Sequence, residues 1–263
     1  MEDISMKQIL IIPDIINIEE TLKLAKEYNL GFEYNDFFAP DVLDDSDRLV
    51  ALCKNYKQHS LPEYTTLHGA FFDVIPFSLD KRVKEISLQR IHQSIDVARM
   101  MGAKAVVFHT NYNPFLNSTS YINGFIKENI RIWDEILKAN PDINIYLENM
   151  FDTTPDIMVK LAENLQANPN FGICLDYGHA ALSKVAPYEW AKVLGQYVKH
   201  IHLNDNDLIS DLHLAWGDGK IHREAFYEAY STYLKGATVL VETSSYDNIV
   251  KSLKRLIEEG FID

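Results

Sequence analysis

The sequence predicts an α/β protein of the (β/α)8 TIM barrel class, and three observations support this prediction. The 263 residues match the length of one such barrel. Eight short apolar runs alternate with eight longer segments of helical period. Six of the eight runs end at or near a histidine or a carboxylate, which is typical of a parallel barrel with a metal site at the carboxyl ends of its strands. No low-complexity linker divides the chain, so residues 1–263 are predicted to form one domain.

The strands and helices alternate along the whole chain. Each predicted strand is an apolar run, often β-branched, that stops at a polar residue, and each helix repeats apolar residues every three or four positions. Pro187 fits the first turn of a helix. Strands are predicted at 8–12, 31–34, 64–68, 105–109, 143–148, 171–176, 198–203 and 238–242. Helices are predicted near 17–29, 44–58, 81–101, 119–140, 154–167, 180–195, 222–235 and 246–259.

The residues at the strand ends predict a metal site. Because side chains alternate along a strand, all of them can point into the barrel at its carboxyl-terminal mouth. Carboxylates buried together repel one another unless a cation compensates them, so a divalent metal is expected. His200 lies deeper on the same face and is expected to be a hydrogen-bonded structural histidine. The strand-end residues are His68, His109, Glu148, Asp176, His202 and Glu242.

Composition narrows the classes of function. The net charge is −13, which argues against nucleic acid and against an anionic membrane surface, because phosphate groups need clustered basic residues. No run of about 18 apolar residues and no leader-like N-terminus occur, so we expect a cytoplasmic protein. Cys53 and Cys174 are expected to be free thiols. A small ligand is therefore favoured, and assembly of identical subunits is left open.

Several short motifs resemble one known family. They are L-E-N at 147–149, L-D-Y-G-H-A at 175–180, I-H-L-N-D at 201–205, D-L-H at 211–213, G-D-G-K-I at 217–221 and V-E-T at 241–243. Together they are similar to the xylose isomerase-like barrel superfamily, which contains endonuclease IV and many sugar isomerases and epimerases. The resemblance covers nearly the whole chain.

This resemblance implies a ligand set. Glu148, Asp176, His202 and Glu242 look like the four ligands of one divalent metal, with zinc or manganese favoured. Endonuclease IV has three metals, and the matching residue types are present for all of them. In that arrangement His68 and His109 join Glu148 on one metal, and His179, Asp211 and His213 hold another. One to three ions for each chain are therefore expected.

The resemblance also implies two reactions. In an isomerase or epimerase of a sugar or sugar phosphate, Glu148 and Glu242 transfer a proton through a metal-bound enediolate. The alternative is an endonuclease IV-like trinuclear zinc phosphodiesterase, in which the metals activate a water. An acidic segment after the second strand favours the first reaction, because it would repel a DNA backbone. It holds Asp36, Asp41, Asp44, Asp45 and Asp47.

Three further residues are predicted to contact a carbohydrate substrate. Glu33, at the end of the second strand, could accept a substrate hydroxyl or anchor a loop. Trp216 offers an aromatic face for the C–H surface of a sugar. Lys220 could attract a phosphate, so that free sugars and sugar phosphates both stay open.

Overall fold

The chain forms a closed barrel of eight parallel strands, as predicted. The computed structural model describes residues 7–71, 73–243 and 245–262, and the remaining positions of the predicted domain lie outside the described residues. Each strand pairs in parallel with the next, and β8 pairs with β1 to close the barrel. The strands are β1 Ile9–Ile11, β2 Gly31–Tyr34, β3 Thr65–His68, β4 Ala105–His109, β5 Asn144–Glu148, β6 Phe171–Asp176, β7 Val198–Leu203 and β8 Thr238–Val241.

Helices surround this barrel, and one of the predicted helical segments is split into two helices. The segment near 180–195 breaks before Pro187, which starts a new helix as predicted. A short helix from Pro40 to Leu43, which was not predicted, precedes the helix of the segment near 44–58. A turn of π-helix, Tyr230–Leu234, extends α9. The helices are α1 Ile18–Glu27, α2 Pro40–Leu43, α3 Ser46–Lys57, α4 Lys81–Met101, α5 Thr119–Ala139, α6 Asp156–Leu165, α7 Tyr177–Leu182, α8 Pro187–Leu194, α9 Arg223–Ala229 and α10 Tyr246–Glu258.

The barrel has two hydrophobic layers. The outward side chains of the strands pack under the helices, for example Phe108 against Trp133 of α5, with ring centroids 5.3 Å apart. The inward side chains near the amino-terminal end form a small apolar layer of Ala105, Val107, Tyr146 and Cys174. Both layers are buried, which leaves the carboxyl-terminal mouth as the place where polar side chains gather.

A register shift between β6 and β7 sets which residues of β7 face inward. Ile173 pairs with Val198 and Cys174 with His200, so Lys199 has no partner on β6. Such a bulge changes the alternation of the strand. As a result His200 lies beside the inward Cys174, and His202 beside Asp176 at the mouth.

None of the helices in the described part of the chain combines the length and the apolar composition needed to cross a bilayer.

Candidate metal centre at the barrel mouth

The structure brings together all nine residues that the sequence marked as metal ligands. Six lie at the last or last-but-one residue of a strand or directly after it, and the closed barrel aims them at one axis. His179 lies on α7, and Asp211 and His213 lie in the loop between β7 and α9. Their ligand atoms form several groups within 4.8 Å of one another. Two of these groups match the ligand sets predicted from the sequence. One consists of His68, His109 and Glu148, and the other of His179, Asp211 and His213.

The middle of this cluster is a core centre, defined as Glu148, Asp176, His202 and Glu242. His202 Nδ1 lies 3.3 Å from Glu148 Oε1 and 3.4 Å from Glu242 Oε1. Asp176 is paired with His202 across β6 and β7. All four residues are buried, so their charges interact with little screening by water.

Glu33 lies beneath the core centre rather than open to a substrate. Its Oε1 is 3.1 Å from Nε2 of His202, the ring nitrogen on the side away from Glu148. Its Oε2 accepts a hydrogen bond from Thr66 Oγ1 at 2.7 Å and lies 3.1 Å from His200 Nε2. The contact between Glu33 and His202 is an ion pair without hydrogen-bond geometry, since neither atom has a hydrogen-bond partner among the described residues. A carboxylate behind a histidine favours one orientation of the ring, with the other nitrogen free for a metal. The contacts of Glu33 therefore fit an orienting role better than contact with a substrate.

His200 is hydrogen-bonded on both ring nitrogens, as expected for a structural histidine. Its Nδ1 lies 2.6 Å from Thr238 Oγ1, and its Nε2 faces Glu33. The ring also lies parallel to Tyr146 in the apolar layer below, with centroids 6.1 Å apart.

On one side of the core centre lies the inner triad, defined as His68, His109 and Glu148. Nε2 of His68 and Nε2 of His109 lie 3.5 and 3.3 Å from Glu148 Oε2. Nδ1 of His68 is 2.9 Å from the carbonyl oxygen of Gly69, so it can donate there and leave Nε2 facing Glu148. The ring of Phe71 covers both histidines, with centroids 5.0 Å from each.

On the other side lies the outer triad, defined as His179, Asp211 and His213. Nε2 of His179 and Nε2 of His213 both face the same oxygen, Oδ2 of Asp211, at 3.3 and 3.2 Å. Nδ1 of His179 lies 2.9 Å from the carbonyl oxygen of Asn149. His213 Nδ1 is 3.6 Å from Glu242 Oε2, which connects the outer triad to the core centre.

Glu148 shows that this donor set fits a cation. Both of its carboxylate oxygens are buried and have no hydrogen-bond partner among the described residues, and the same is true of Nδ1 of His202. Buried polar atoms are rarely left in this state, and an unpaired buried carboxylate is costly. Imidazole and carboxylate ligands suit zinc, manganese or other divalent transition metals. The residues present therefore fit a divalent metal bound at Glu148.

The charges of the site shift several pKa values. Burial raises the pKa of Asp176 to about 7, and the nearby carboxylates of Glu242 and Glu148 add to this effect against the opposing effect of His179. Burial opposes ionisation of Glu148, but His202 and His109 hold its pKa well below the ordinary value. Glu148 is thus an anion in the protein, and histidines partly compensate it.

The other two predicted substrate residues lie apart from the metal cluster. Trp216 is fully buried between Tyr177 and Phe226, and its Nε1 donates to Tyr227 Oη at 3.0 Å. A ring with no exposed face offers no surface to a sugar in this conformation. Lys220 is exposed on the loop between β7 and α9, where its backbone N–H donates to Asn206.

The acidic segment after β2 is partly neutralised within the protein. Asp41 pairs with Arg48, and both oxygens of Asp44 contact Arg90. Asp45 accepts from the N–H of Arg48 as the N-cap of α3. The segment is therefore less repulsive than its sequence suggests.

Sequence analysis did not assign a role to three asparagine and aspartate residues that support the site. Asn204 Nδ2 donates to Asp176 Oδ2 at 3.1 Å and to Glu242 Oε2 at 3.2 Å, so it spaces two carboxylates of the core centre. Asn149 exchanges two hydrogen bonds with the backbone of Asp176. Asp205 accepts backbone N–H bonds from Asn206, Gly217 and Ile221 and folds the loop that carries Lys220. Their positions inside L-E-N and I-H-L-N-D were the available signal.

The fold and the site define a barrel protein with a histidine and carboxylate cluster at its mouth. The sequence profile of the xylose isomerase-like TIM barrel family matches residues 22–261. The chain belongs to this family.

Relatives of known sequence include proteins with different names. An uncharacterised protein of Methanocaldococcus jannaschii is 28% identical over 73% of this chain and 68% of its own length. A fructoselysine 3-epimerase of Shigella flexneri is 26% identical over 74% of this chain and 75% of its own. A probable endonuclease 4 of Mycobacterium leprae is 26% identical over 78% of this chain and 79% of its own length.

Solved structures share the fold. A D-tagatose 3-epimerase-like protein superimposes with a TM-score of 0.75 at 23% identity, with 96% of both chains covered. The IolI protein with a bound zinc atom superimposes with a TM-score of 0.71 at 16% identity, with 96% of this chain and 97% of that chain covered. The barrel and the arrangement of its elements are thus common to these proteins.

Proposed function

We propose that the chain is a divalent metal-dependent carbohydrate isomerase or epimerase in which Glu148 and Glu242 act as acid and base. The positions of these two carboxylates carry the proposal. Both lie within 3.4 Å of His202 Nδ1, yet they come from β5 and β8, which are three strands apart around the barrel. Two carboxylates that reach one centre from different sides can serve opposite faces of one substrate carbon.

The chemistry needs an acidified C–H bond next to a carbonyl group. A bound divalent metal supplies this by polarising the carbonyl and the adjacent hydroxyl oxygen of the sugar. Glu148 then accepts the proton from carbon on one face. Glu242, whose pKa is held at about 2 against the effect of burial by His202 and His213, takes up a proton from solvent and passes it to the other face, and Glu148 releases its proton to solvent before the next turnover. A proton delivered to the carbon that lost one inverts the configuration of that carbon. A proton delivered to the neighbouring carbon moves the carbonyl group along the sugar chain. Glu33 keeps the His202 ring in place throughout.

The side chains at the barrel mouth favour a small carbohydrate over DNA as the substrate. The described loops that join each strand to the following helix contain one lysine, Lys220, and no arginine, while carboxylates occur in most of them. A duplex backbone is bound through many basic side chains. The fructoselysine 3-epimerase among the relatives is consistent with a sugar substrate.

A second candidate is an endonuclease IV-like phosphodiesterase with three zinc ions. The convergence of the inner and outer triads on either side of the core centre favours it, because proton transfer needs only the core centre. Clustered metals can activate a water and stabilise the leaving oxygen of a phosphoester.

Solvent exchange tests the proposal directly. The protein, purified without chelator, is incubated with a panel of ketoses in deuterated water, and deuterium in the sugar is followed by NMR. We expect incorporation beside the carbonyl that is lost in Glu148→Gln and in Glu242→Gln. Glu163→Gln, which makes the same change at an exposed position of α6, is the matched control. Incision of abasic-site DNA that depends on Glu148, without exchange into any sugar, would establish the second candidate instead.

A further inference from the structure

The two ends of the metal cluster differ in how deeply they are buried. In the inner triad, His68 and His109 are only 3% and 8% exposed, and Glu148 is fully buried. In the outer triad, the side chains of Asp211 and His213 are 32% and 29% exposed. Water and competing ligands can therefore reach the outer triad directly, while the inner triad lies under Phe71.

The two triads also differ in the rigidity of their support. The inner ligands sit on β3, β4 and β5, where His68 pairs with Val107 and His109 pairs with Glu148 in the sheet. Asp211 and His213 lie in the loop between β7 and α9, and His213 has a left-handed backbone with φ of 46°. Two of the three outer ligands thus lie outside the strands, in a loop that the bridge between Asp205 and Leu214 anchors, whereas all three inner ligands are held by the hydrogen bonds of the sheet.

The consequences of losing a cation differ as well. Without one, Glu148 keeps two buried oxygens that form no hydrogen bond with any described residue. Asp211 instead has His179 and His213 within hydrogen-bonding distance of one oxygen. The outer triad can thus close on itself when it is empty, whereas the inner triad keeps a buried carboxylate that histidines compensate only partly and that forms no hydrogen bond with any described residue.

We infer that the outer triad binds an exchangeable metal, while the inner triad and the core centre retain theirs. The concentration of free metal in solution then sets how many ions the barrel mouth holds. The core centre, which the proposed proton transfer uses, stays loaded, and the outer triad is filled only when free metal is abundant. This inference rests on the metal-binding part of the proposed function and concerns the number and exchange of ions, not the reaction.

Counting bound ions tests the inference without measuring activity. Protein saturated with zinc is equilibrated with zinc buffers of decreasing free concentration, and bound ions are counted by native mass spectrometry. We expect one ion to leave at a free zinc concentration at least about tenfold higher than the others, since rigidity and ligand charge tune metal affinity. Asp211→Asn should remove this first step and leave the later release unchanged.

Two controls make the result decisive. Leu212→Ala changes an exposed side chain between the two outer ligands and should keep the first step. Circular dichroism verifies that each variant is folded. Release of all ions in one step, or a first step that survives Asp211→Asn but disappears in His109→Gln, would overturn the inference. A single ion for each chain would overturn it too, yet would leave the proposed proton transfer standing, and absence of sugar exchange would leave the metal count unaffected.

Discussion

Asp152 gives a quantitative prediction about pH. Its side chain is buried in the loop between β5 and α6, where Oδ2 accepts from Thr110 Oγ1 at 3.1 Å and from the N–H of Met150 at 3.3 Å. Oδ1 is buried without a hydrogen-bond partner among the described residues. Burial raises the pKa of Asp152 to about 6 from the ordinary value of 3.8.

The sign of the effect follows from proton binding. The folded protein holds this proton more tightly than the unfolded chain, so stability falls as pH rises from about 4 to about 6 and stays lower above that range. The free energy of unfolding falls in total by roughly 3 kcal/mol, because each unit of pKa difference between the folded and unfolded states corresponds to about 1.4 kcal/mol. Asp152→Asn keeps the shape and an acceptor oxygen but cannot ionise. We therefore expect its advantage over the unsubstituted protein to widen by roughly 2 kcal/mol between about pH 4.5 and pH 7.5.

Chemical denaturation followed by circular dichroism at a series of pH values measures this difference. The matched control is Asp156→Asn, which makes the same change at an exposed position four residues further along the chain, at the start of α6, and its stability should depend on pH as that of the unsubstituted protein does. If the curves for Asp152→Asn and the unsubstituted protein stay parallel across this range, the carboxyl does not change its charge in the folded protein as we argue.

Three further substitutions, one of them with a matched control, test the support of the site and the core. Glu33→Gln should lower the metal affinity of the core centre about 10- to 100-fold, measured by competition with a chromophoric chelator; equal affinity would rule out its orienting role. Gly178→Ala places a Cβ 2.0 Å from Asn204 Oδ1, so the free energy of unfolding should fall by about 1–3 kcal/mol. Gly124→Ala in α5, with nothing within 4 Å, should instead be neutral or stabilising. Phe226→Ala should lower the free energy of unfolding by about 3–5 kcal/mol in thermal or urea unfolding, while the folded variant should bind zinc as the unsubstituted protein does.

The strand order and the convergence of the ligands could be predicted because they depend on local patterns. The apolar run that ends at His109 or Glu148 can be recognised from the local sequence alone. The closed parallel barrel then brings the carboxyl ends of such strands together. The role of Glu33 could not be derived in this way. It contacts His200, which is 167 residues away in the sequence, and no local pattern states which ring nitrogen of His202 it faces.

Trp216 illustrates the same limit for a side chain in a loop. The sequence places it near the mouth, but its burial depends on Tyr177 and Phe226, which belong to two separate helices. The unpaired Lys199 on β7 is likewise a property of two strands together. Residues whose environment comes from distant parts of the chain therefore need the structure.

The position of Glu242 directly after β8 has a consequence for biosynthesis. The strand that precedes this core ligand closes the barrel against β1, so the first and last strands must both be in place before the ligand set is complete. A nascent or C-terminally truncated chain can present His68 and His109 but not the whole core centre. Under the proposed metal binding, retention of an ion at the core centre would indicate completed folding, and metal affinity could separate finished molecules from incomplete ones during purification.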